Sequence, residues 1–430
     1  MDLQNDLYAI KYEDNNIIYS PLRRALFFAD DTSVAVINRY LSNKVVESDK
    51  NTQVWKHIER LEAIDVNAPE QQQIKKRANV VIIPTQVCNL GCTYCYAREA
   101  HSFQNIPVDF LKATLDFILN NDNRKKNISF IGGGEPFVSW DLIKWSVEYL
   151  EKNKKQDDHI SVGITTNATL FTEDKFRYIK EHNIHIGVSF EILEDVQNSL
   201  RPFSGGGKAT FDIVDANIKK LIQYGISYNI RSTITKLNVR RMSEMVEFVA
   251  KNYPNLKKLH LEQVTDSSED DMLFYNDFIE NLYKAKAIGK QCGITVYNSI
   301  SKSIHQIKGC FCRGELCITP TGSIVACHRV SSEKERAFPI FHYGQVDNKF
   351  VFNQDAEKKY QEHAYSKRDE CTHCFAYWHC AGICPMERVE LSEEQIRAKC
   401  EFAKKIIMRE LYETLLEGLG LEIDNPNLVP

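Results

Sequence analysis

Three closely spaced cysteines are the residues of this chain whose type and spacing point most clearly to chemistry. Cys88, Cys92 and Cys95 form a C-x3-C-x2-C array directly after an apolar segment at residues 79–84. Three thiolates this close cannot all pair as disulfides, and they are one ligand short of a closed zinc site. A cubane iron–sulfur cluster takes one thiolate per iron, so this array would leave the fourth iron open to a substrate or cosubstrate. Three surface thiols, or half of a zinc ribbon, are the alternatives.

The thirteen cysteines are unevenly distributed along the chain. Three lie near residue 90, nine lie between residues 310 and 400, and only Cys292 stands alone. The first residues, Met-Asp-Leu-Gln-Asn-Asp, contain neither a basic nor an apolar region, and no apolar run is long enough to span a membrane. We therefore expect a cytoplasmic protein without a signal peptide or a membrane partner. Because disulfide frameworks are rare in that compartment, the clustering indicates metal binding.

Composition sets the broad class of the protein. A chain of 430 residues is too long for one core and suggests two or three domains. Its 43% hydrophobic and 26% charged residues are ordinary for a soluble globular protein. The net charge of -4 gives no basic footprint, so we expect no nucleic-acid partner.

From residue 79 onward the sequence alternates strand-like and helix-like segments. The predicted strands are 80–83, 128–131, 160–165, 184–190, 228–235 and 258–264, and the predicted helices lie near 108–121, 139–153, 173–182, 212–224, 239–252 and 272–289. Six βα units in series predict an α/β fold with a parallel sheet, either doubly wound or an open barrel. The loops at the carboxyl ends of such strands usually hold the functional residues. The cysteine array follows the first strand, at that edge.

Polar motifs follow the later strands at the same edge. The second strand is followed by Gly132-Gly133-Gly134-Glu135-Pro136, in which glycines allow a close approach of backbone to a ligand and Glu135 can accept from an ammonium group. An ordinary glycine-rich turn is the alternative. The third and fourth strands end in polar residues of the sequences Thr165-Thr166-Asn167 and Ser189-Phe190-Glu191.

Two features resemble the radical S-adenosylmethionine (radical SAM) superfamily. One is the cysteine array with an aromatic residue before its third cysteine, and the other is the GGGEP sequence one βα unit later. The resemblance implies that the cluster on the three cysteines binds SAM through its open iron. It also implies a set of SAM contacts: Tyr94, Gly133, Gly134, Glu135, Thr166, Asn167, Ser189, Arg201 and Arg231. Glu135 would hold the methionyl amine, and the two arginines are candidates for its carboxylate, although a strand arginine is more often a salt-bridge partner. Glu191 departs from the family, in which aspartate often follows that serine by two residues.

A second cysteine-rich region follows residue 305. Its spacing is Cys310-x-Cys312, Cys317, Gly322-x4-Cys327, Cys371-x2-Cys374-x5-Cys380-x3-Cys384 and Cys400. Thiolates at these spacings suit either zinc or iron–sulfur clusters. The order resembles the SPASM domain of radical SAM enzymes. That resemblance implies one auxiliary cluster on Cys371, Cys374, Cys380 and Cys400, and another on Cys312, Cys327 and Cys384 with Cys310 or Cys317 as fourth ligand. Two zinc sites are the alternative.

His328 directly follows Cys327. In sulfatase-maturing members of the family an aspartate occupies this place and serves as the base, so a histidine resembles the peptide-crosslinking maturases instead. An imidazole that titrates near neutrality suits a catalytic base. A histidine that is simply hydrogen-bonded beside a cluster is the alternative.

The first 78 residues contain no cysteine and are predicted to form a small α+β module. Short strands are predicted at 7–12, 16–19 and 24–28, helices at 32–42 and 54–64, and a polar linker at 71–77. This arrangement is similar to the winged-helix recognition elements of peptide-modifying enzymes. It predicts either a peptide-docking module or a structural cap.

The sequence as a whole is identified as a radical SAM enzyme with a SPASM extension. We expect a partial (β/α)6 TIM-like barrel at 79–300, the N-terminal α+β module at 1–78, a SPASM domain at 301–405, and a C-terminal helix and tail at 406–430. The resemblance implies three 4Fe–4S clusters, SAM, a ribosomal precursor peptide whose side chains are oxidised and cross-linked, and a flavodoxin- or ferredoxin-type electron donor. Formylglycine generation or another side-chain oxidation is one alternative, and a zinc-stabilised peptide-binding protein without catalysis is another.

Overall fold

The computed structural model describes residues 1–69, 79–206, 209–265, 271–312 and 314–419. The predicted linker at 71–77 lies outside the described residues. The described strands form two sheets, one of three strands and one of eleven. Among the described helices, none combines the length and apolar character needed to cross a membrane.

The N-terminal module is a three-stranded antiparallel sheet followed by two helices. These elements are β1 (Tyr8–Tyr12), β2 (Asn15–Ser20), β3 (Ala25–Ala29), α1 (Asp31–Leu41) and α2 (Gln53–Glu62), each within two residues of its predicted bounds. Both helices begin at capping side chains, since Asp30 accepts from the Ser33 amide at 2.7 Å and Thr52 accepts from the Trp55 amide at 3.2 Å. One face of the sheet, including Ile18 and Phe27, packs against α1 and α2.

Seven parallel strands form the main part of the large sheet. They are β4 (Asn79–Ile82), β5 (Lys125–Phe130), β6 (His159–Thr166), β7 (His185–Ser189), β8 (Tyr228–Ile234), β9 (Lys258–Gln263) and β10 (Thr295–Tyr297). The connecting helices are α3 (Val108–Leu119), α4 (Trp140–Asn153), α5 (Glu173–Glu181), α6 (Glu194–Leu200), α7 (Phe211–Gln223), α8 (Met242–Asn252) and α9 (Met272–Cys292). In the described sheet β10 pairs with β9 alone, so the strands form a partial barrel. The predicted α/β class and partial barrel are confirmed; α6 and the three-residue β10 were not predicted.

The cysteine-rich region extends the same sheet. Its elements are β11 (Leu316–Ile318), β12 (Ser323–Val325), α10 (Phe338–Phe341), β13 (His342–Val346), β14 (Phe350–Phe352), α11 (Gln354–Tyr365), α12 (Tyr377–Cys380), α13 (Glu387–Glu390) and α14 (Glu393–Gly418). Strand β11 pairs in parallel with β4, and the next three strands continue antiparallel. These strands have three to five residues, too few for alternating polarity to reveal them in the sequence.

Helix α14 connects the three parts of the chain. It begins at a capping box formed by Ser392 and Gln395 and crosses the predicted boundary at residue 405. Phe402 stacks on Tyr275 of α9, with ring centres 4.5 Å apart. Tyr412 contacts Tyr12 and Phe28, which lie on the second face of the N-terminal sheet. Both faces of that small sheet are therefore covered.

Candidate active site

A single cavity at the carboxyl ends of the parallel strands brings together the predicted SAM-site residues. We call it the central cavity. Its lining includes every residue predicted for the first cluster and for SAM, together with the predicted base: Cys88, Cys92, Cys95, Tyr94, Gly133, Gly134, Glu135, Thr166, Asn167, Ser189, Arg201, Arg231 and His328. Parallel strands bring their carboxyl ends to one edge of a sheet, which explains why residues so far apart in sequence meet here.

The glycine segment after β5 packs directly on residues 87–96, which we call the cysteine loop. The Gly134 amide donates to the Thr85 carbonyl and the Glu135 amide donates to the Val87 carbonyl, both at 2.9 Å. A Cβ atom on Gly134 would lie 2.0 Å from the Val87 carbonyl oxygen, so a side chain cannot be accommodated at this position without displacement. Gly133 has a φ of +65°, which also favours glycine. The glycines thus hold the cysteine loop against the sheet.

Glu135 is buried and held in one orientation by three hydrogen bonds. Its Oε1 atom accepts from the Phe137 amide at 3.0 Å and the Thr166 hydroxyl at 2.6 Å, and its Oε2 atom accepts from the Asn167 amide at 2.7 Å. Burial raises the pKa of Glu135, against the lowering effect of these bonds. A cationic group bound beside Glu135 would offset the cost of burying the carboxylate charge, as expected if Glu135 holds the methionyl amine.

Asparagine and threonine side chains tie the cysteine loop to the end of β6. The Asn167 side-chain amide donates to Oδ1 of Asn89 at 2.9 Å, and the Asn89 side-chain amide donates to the Thr169 hydroxyl at 2.8 Å. On the other side of the loop, the Gly91 amide donates to the Pro202 carbonyl at 2.8 Å. The three cysteines are therefore presented by a loop that is fixed from several directions.

Glu191, which departs from the family pattern, is the centre of a buried polar network. Its carboxylate accepts from the Tyr94 hydroxyl, from the Ser232 hydroxyl at 2.8 Å and from the Thr233 amide at 2.7 Å. Arg201 lies 3.5 Å from this carboxylate and donates to the Tyr94 hydroxyl at 2.7 Å. Glu191 thus positions both Tyr94 and Arg201, a role that its sequence position alone did not reveal.

The two predicted arginines differ in their partners. Arg201 is engaged with Glu191 and Tyr94, but its Nε–H is buried without a hydrogen-bond partner among the described residues. Arg231 is exposed to the central cavity, and its side chain forms no hydrogen bond or ion pair with the part of the chain that the structure describes. Each guanidinium therefore keeps donors for an anionic group, and both fit a carboxylate of a bound ligand.

His328 faces the central cavity and is held by a carboxylate that the sequence did not suggest. Its backbone amide and its Nδ1 atom each lie 2.8 Å from the same Glu315 carboxylate oxygen. Ligand atoms of Glu315, Cys327 and His328 all lie within 4.8 Å of one another. The ring of Tyr96 meets the His328 ring edge to face, with centres 6.3 Å apart. His328 is therefore oriented with its Nε2 atom available to a bound molecule.

His101 is a further cavity residue that the sequence did not suggest. Its Nε2 atom lies 3.9 Å from the Cys95 sulfur. Burial lowers the pKa of His101. His101 follows Cys95 by six positions, a spacing that matches no recognised motif.

Seven of the ten remaining cysteines interact electrostatically within one or other of two sets, and the ligand sets that the SPASM resemblance implies stay a prediction. Burial raises the pKa of Cys380 to about 12 and that of Cys400 to about 11, and neighbouring thiols add to both shifts. Cys371 and Cys374 contribute to the raised pKa of both Cys380 and Cys400. We call these four cysteines the Cys371 group. The pKa of Cys327 is raised in part by Cys384 and Cys312, and that of Cys384 in part by Cys312, and we call these three the Cys327 group.

Cys310 and Cys317 differ in their surroundings. Cys310 is buried and interacts electrostatically with Lys308, as Cys312 does. Cys317 lies in β11, opposite Val325 and within the apolar core, and interacts electrostatically with Cys327. The choice between them as a cluster ligand stays a prediction.

The donor set fits iron–sulfur clusters at three places. All thirteen cysteines are free thiols. Three of them line the central cavity together with the glycine segment, the buried carboxylate of Glu135 and two arginines that have unused hydrogen-bond donors. Burial raises the pKa of Cys88 to about 12, so a bound metal must displace the thiol protons. Seven further thiols form the Cys371 and Cys327 groups, which lie outside the central cavity's lining.

Comparison with known proteins agrees with this geometry. Residues 82–249 match the model of the radical SAM superfamily. A radical SAM cyclopropyl synthase, TigE of Paramaledivibacter caminithermalis, is 21% identical over 95% of this chain and 89% of its own length. A cysteine-type anaerobic sulfatase-maturating enzyme of Clostridium novyi is 23% identical over 69% of this chain and 84% of its length. An uncharacterized Methanocaldococcus jannaschii protein is 35% identical over 40% of this chain, which spans only 58% of that relative.

Solved structures share the fold. The anaerobic sulfatase-maturating enzyme anSMEcpe with bound SAM has a TM-score of 0.67 at 18% identity, covering 80% of this chain and 99% of that one. Streptococcus suis SuiB bound to SAM has a TM-score of 0.52 at 16% identity, covering 88% and 94%. With the matched domain, these likenesses lead to one conclusion: the chain contains a radical SAM domain at residues 82–249 and is an enzyme related to the sulfatase-maturating enzymes and the cyclopropyl synthase.

Proposed function

We propose that this enzyme oxidises side chains of a ribosomally made precursor peptide and joins two of them by a cross-link. The observation that carries the proposal is the central cavity, which combines the three-cysteine loop, the SAM-site residues and His328. Bound there, a 4Fe–4S cluster with SAM would supply a 5′-deoxyadenosyl radical that takes a hydrogen atom from the substrate. Cys88, Cys92 and Cys95 would hold the cluster, and Glu135 would orient the amine of SAM.

His328 accounts for the proton that such a reaction releases. A cross-link removes two hydrogen atoms from the peptide, one to the adenosyl carbon and the other as a proton and an electron. His328 would accept the proton at Nε2, because its Nδ1 atom is paired with Glu315 at 2.8 Å. The Cys327 and Cys371 groups would hold two auxiliary clusters, of which the first adjoins His328 in sequence and would receive the electron. A flavodoxin- or ferredoxin-type protein in the reducing cytoplasm would supply the electron that starts the reaction.

The N-terminal module is the proposed docking site for the peptide. The two faces of its sheet are packed against α1, α2 and α14, so the edges of β1 and β3 are the surfaces on which a peptide strand could pair. The match to the cyclopropyl synthase covers 95% of the chain, and SuiB has been solved with its precursor peptide SuiA.

Hydrogen–deuterium exchange tests the docking proposal. Binding of the substrate peptide is expected to slow amide exchange in β1 or β3, because strand pairing protects backbone N–H groups. Strand β14, at an edge of the large sheet, is the internal control and is expected to be unaffected. Unchanged exchange in both β1 and β3 would reduce the module to a structural cap.

Formylglycine generation is the second candidate, favoured by the shared fold with anSMEcpe over 99% of that chain. Against it, His328 stands where the sulfatase-maturing pattern has aspartate. The products separate the two, since formylglycine formation leaves an aldehyde on one residue and a cross-link joins two.

Product analysis tests the proposed function. The enzyme, prepared without oxygen, is incubated with SAM, dithionite and the candidate peptides encoded beside its gene. We expect 5′-deoxyadenosine and a peptide that has lost two hydrogen atoms, with two residues that tandem mass spectrometry cannot separate. An aldehyde on a single residue would support formylglycine generation instead. If 5′-deoxyadenosine forms but the peptide is unchanged, that peptide is not a substrate.

A further inference from the structure

Arg329 lies between the central cavity and the Cys327 group. It follows Cys327 by two residues, its side chain is 13% exposed, and it lines the cavity. Its guanidinium carbon lies 5.8 Å from the centre of the Tyr96 ring, and Tyr96 directly follows Cys95 of the cysteine loop. Arg329 therefore lines the central cavity and also lies close in sequence to Cys327, a proposed ligand of an auxiliary cluster.

The guanidinium is charged, and one of its donors lacks a partner. Its Nη2 atom donates to the Glu390 carboxylate at 2.6 Å. Its Nε–H is buried with no hydrogen-bond partner among the described residues, an arrangement that is costly unless a bound group accepts the bond. The guanidinium also interacts electrostatically with Cys384 and Cys327. The sulfur atoms of a cluster on those cysteines would provide the acceptor.

We infer that Arg329 raises the reduction potential of the cluster held by the Cys327 group, so that this cluster takes up the electron released by the substrate. The inference rests on the proposed function, which assigns an iron–sulfur cluster to these cysteines. One electron leaves the substrate radical for this cluster, while the accompanying proton goes to His328. The reduced cluster carries one more negative charge than the oxidised one, so a nearby fixed positive charge stabilises the reduced form more.

Glu390 provides an internal check because its charge has the opposite sign. It is the ion-pair partner of Arg329 and partly cancels the positive charge near the cluster. Removing one charge or the other should therefore move the potential in opposite directions, which a general loss of packing would not do. The Cys95 thiol of the SAM site interacts electrostatically with two other arginines, Arg201 and Arg98. We therefore expect changes at Arg329 and Glu390 to shift mainly the potential of the auxiliary cluster.

The test is a redox titration monitored by electron paramagnetic resonance. It uses the full chain, reconstituted with iron and sulfide, with Cys88, Cys92 and Cys95 replaced by alanine so that only auxiliary clusters remain. In this background Arg329→Gln is expected to lower the midpoint potential of one cluster, Glu390→Gln to raise the same potential, and Arg329→Lys to shift it less than Arg329→Gln. Arg240→Gln, at a mostly exposed arginine 2.9 Å from Asp277, is the matched control and should change neither potential.

The outcomes separate this inference from the proposed function. Unchanged potentials in Arg329→Gln and Glu390→Gln, with both clusters present, would overturn the inference and leave the enzyme assignment standing. If Arg329→Gln loses its cluster, Glu390→Gln decides: a raised potential supports the inference, and an unchanged or lowered one overturns it. A parent protein that binds no auxiliary iron would overturn the cluster assignment and the inference together.

Discussion

Replacing Cys88 with alanine is expected to abolish reductive cleavage of SAM while about two thirds of the iron stays bound. Three cubanes, as proposed, would hold about twelve irons, and only the four on the cysteine loop would depend on Cys88. The other two groups of cysteines lie outside the lining of the central cavity, so their clusters should survive the change. The measurements are iron content and 5′-deoxyadenosine formation with dithionite and SAM.

Cys292→Ala is the matched control for this prediction. Cys292 is the exposed cysteine at the end of α9 and belongs to none of the three groups. We expect that variant to keep both its iron and its activity. Full SAM cleavage by Cys88→Ala would mean that the open cluster lies elsewhere, and loss of nearly all iron would mean that the sites do not load independently.

Gly134→Ala is expected to reduce 5′-deoxyadenosine formation by about 100-fold or more, although it lies outside the cysteine array. The new Cβ atom would lie 2.0 Å from the Val87 carbonyl oxygen and 2.4 Å from the Val87 carbonyl carbon, so the cysteine loop must move. A displacement of about 1 Å at a reacting centre is enough for an effect of this size. The measurements are the rate of SAM cleavage and the amount of iron bound.

Gly163→Ala controls for the loss of a glycine from the same sheet. Gly163 lies in β6, has no positive φ, and a Cβ atom there would lie 3.8 Å from its nearest neighbour, the His185 carbonyl oxygen. That variant should therefore retain near-normal activity. Normal activity in Gly134→Ala would show that the glycine segment does not hold the cysteine loop in place.

Motifs at the ends of parallel strands were predictable from the sequence, because the fold itself brings them together. The cysteine array follows β4, the glycine segment follows β5 and Thr166 ends β6, so an α/β pattern was enough to place them at one edge. All of these residues do line one cavity. The cross-strand register then sets their spacing, since Ser189 lies beside Arg231 on adjacent strands.

Contacts between distant parts of the chain were not predictable from the sequence. Glu191 looked like a deviation from a family pattern, and only its bonds to Tyr94 and Ser232 show what it holds. The role of Glu315 was not predicted, because a single glutamate among closely spaced cysteines forms no motif that would link it to His328. Strand β11 has three residues, and its pairing with β4 depends on tertiary packing that no local pattern records.

We propose that the cysteines hold three iron–sulfur clusters, one of which cleaves SAM. The most direct test is the iron, sulfide and zinc content of protein prepared without oxygen, followed by addition of dithionite and SAM. We expect about twelve irons per chain and the appearance of 5′-deoxyadenosine on reduction. Zinc with little iron, and no 5′-deoxyadenosine, would contradict it and would make the thiols structural.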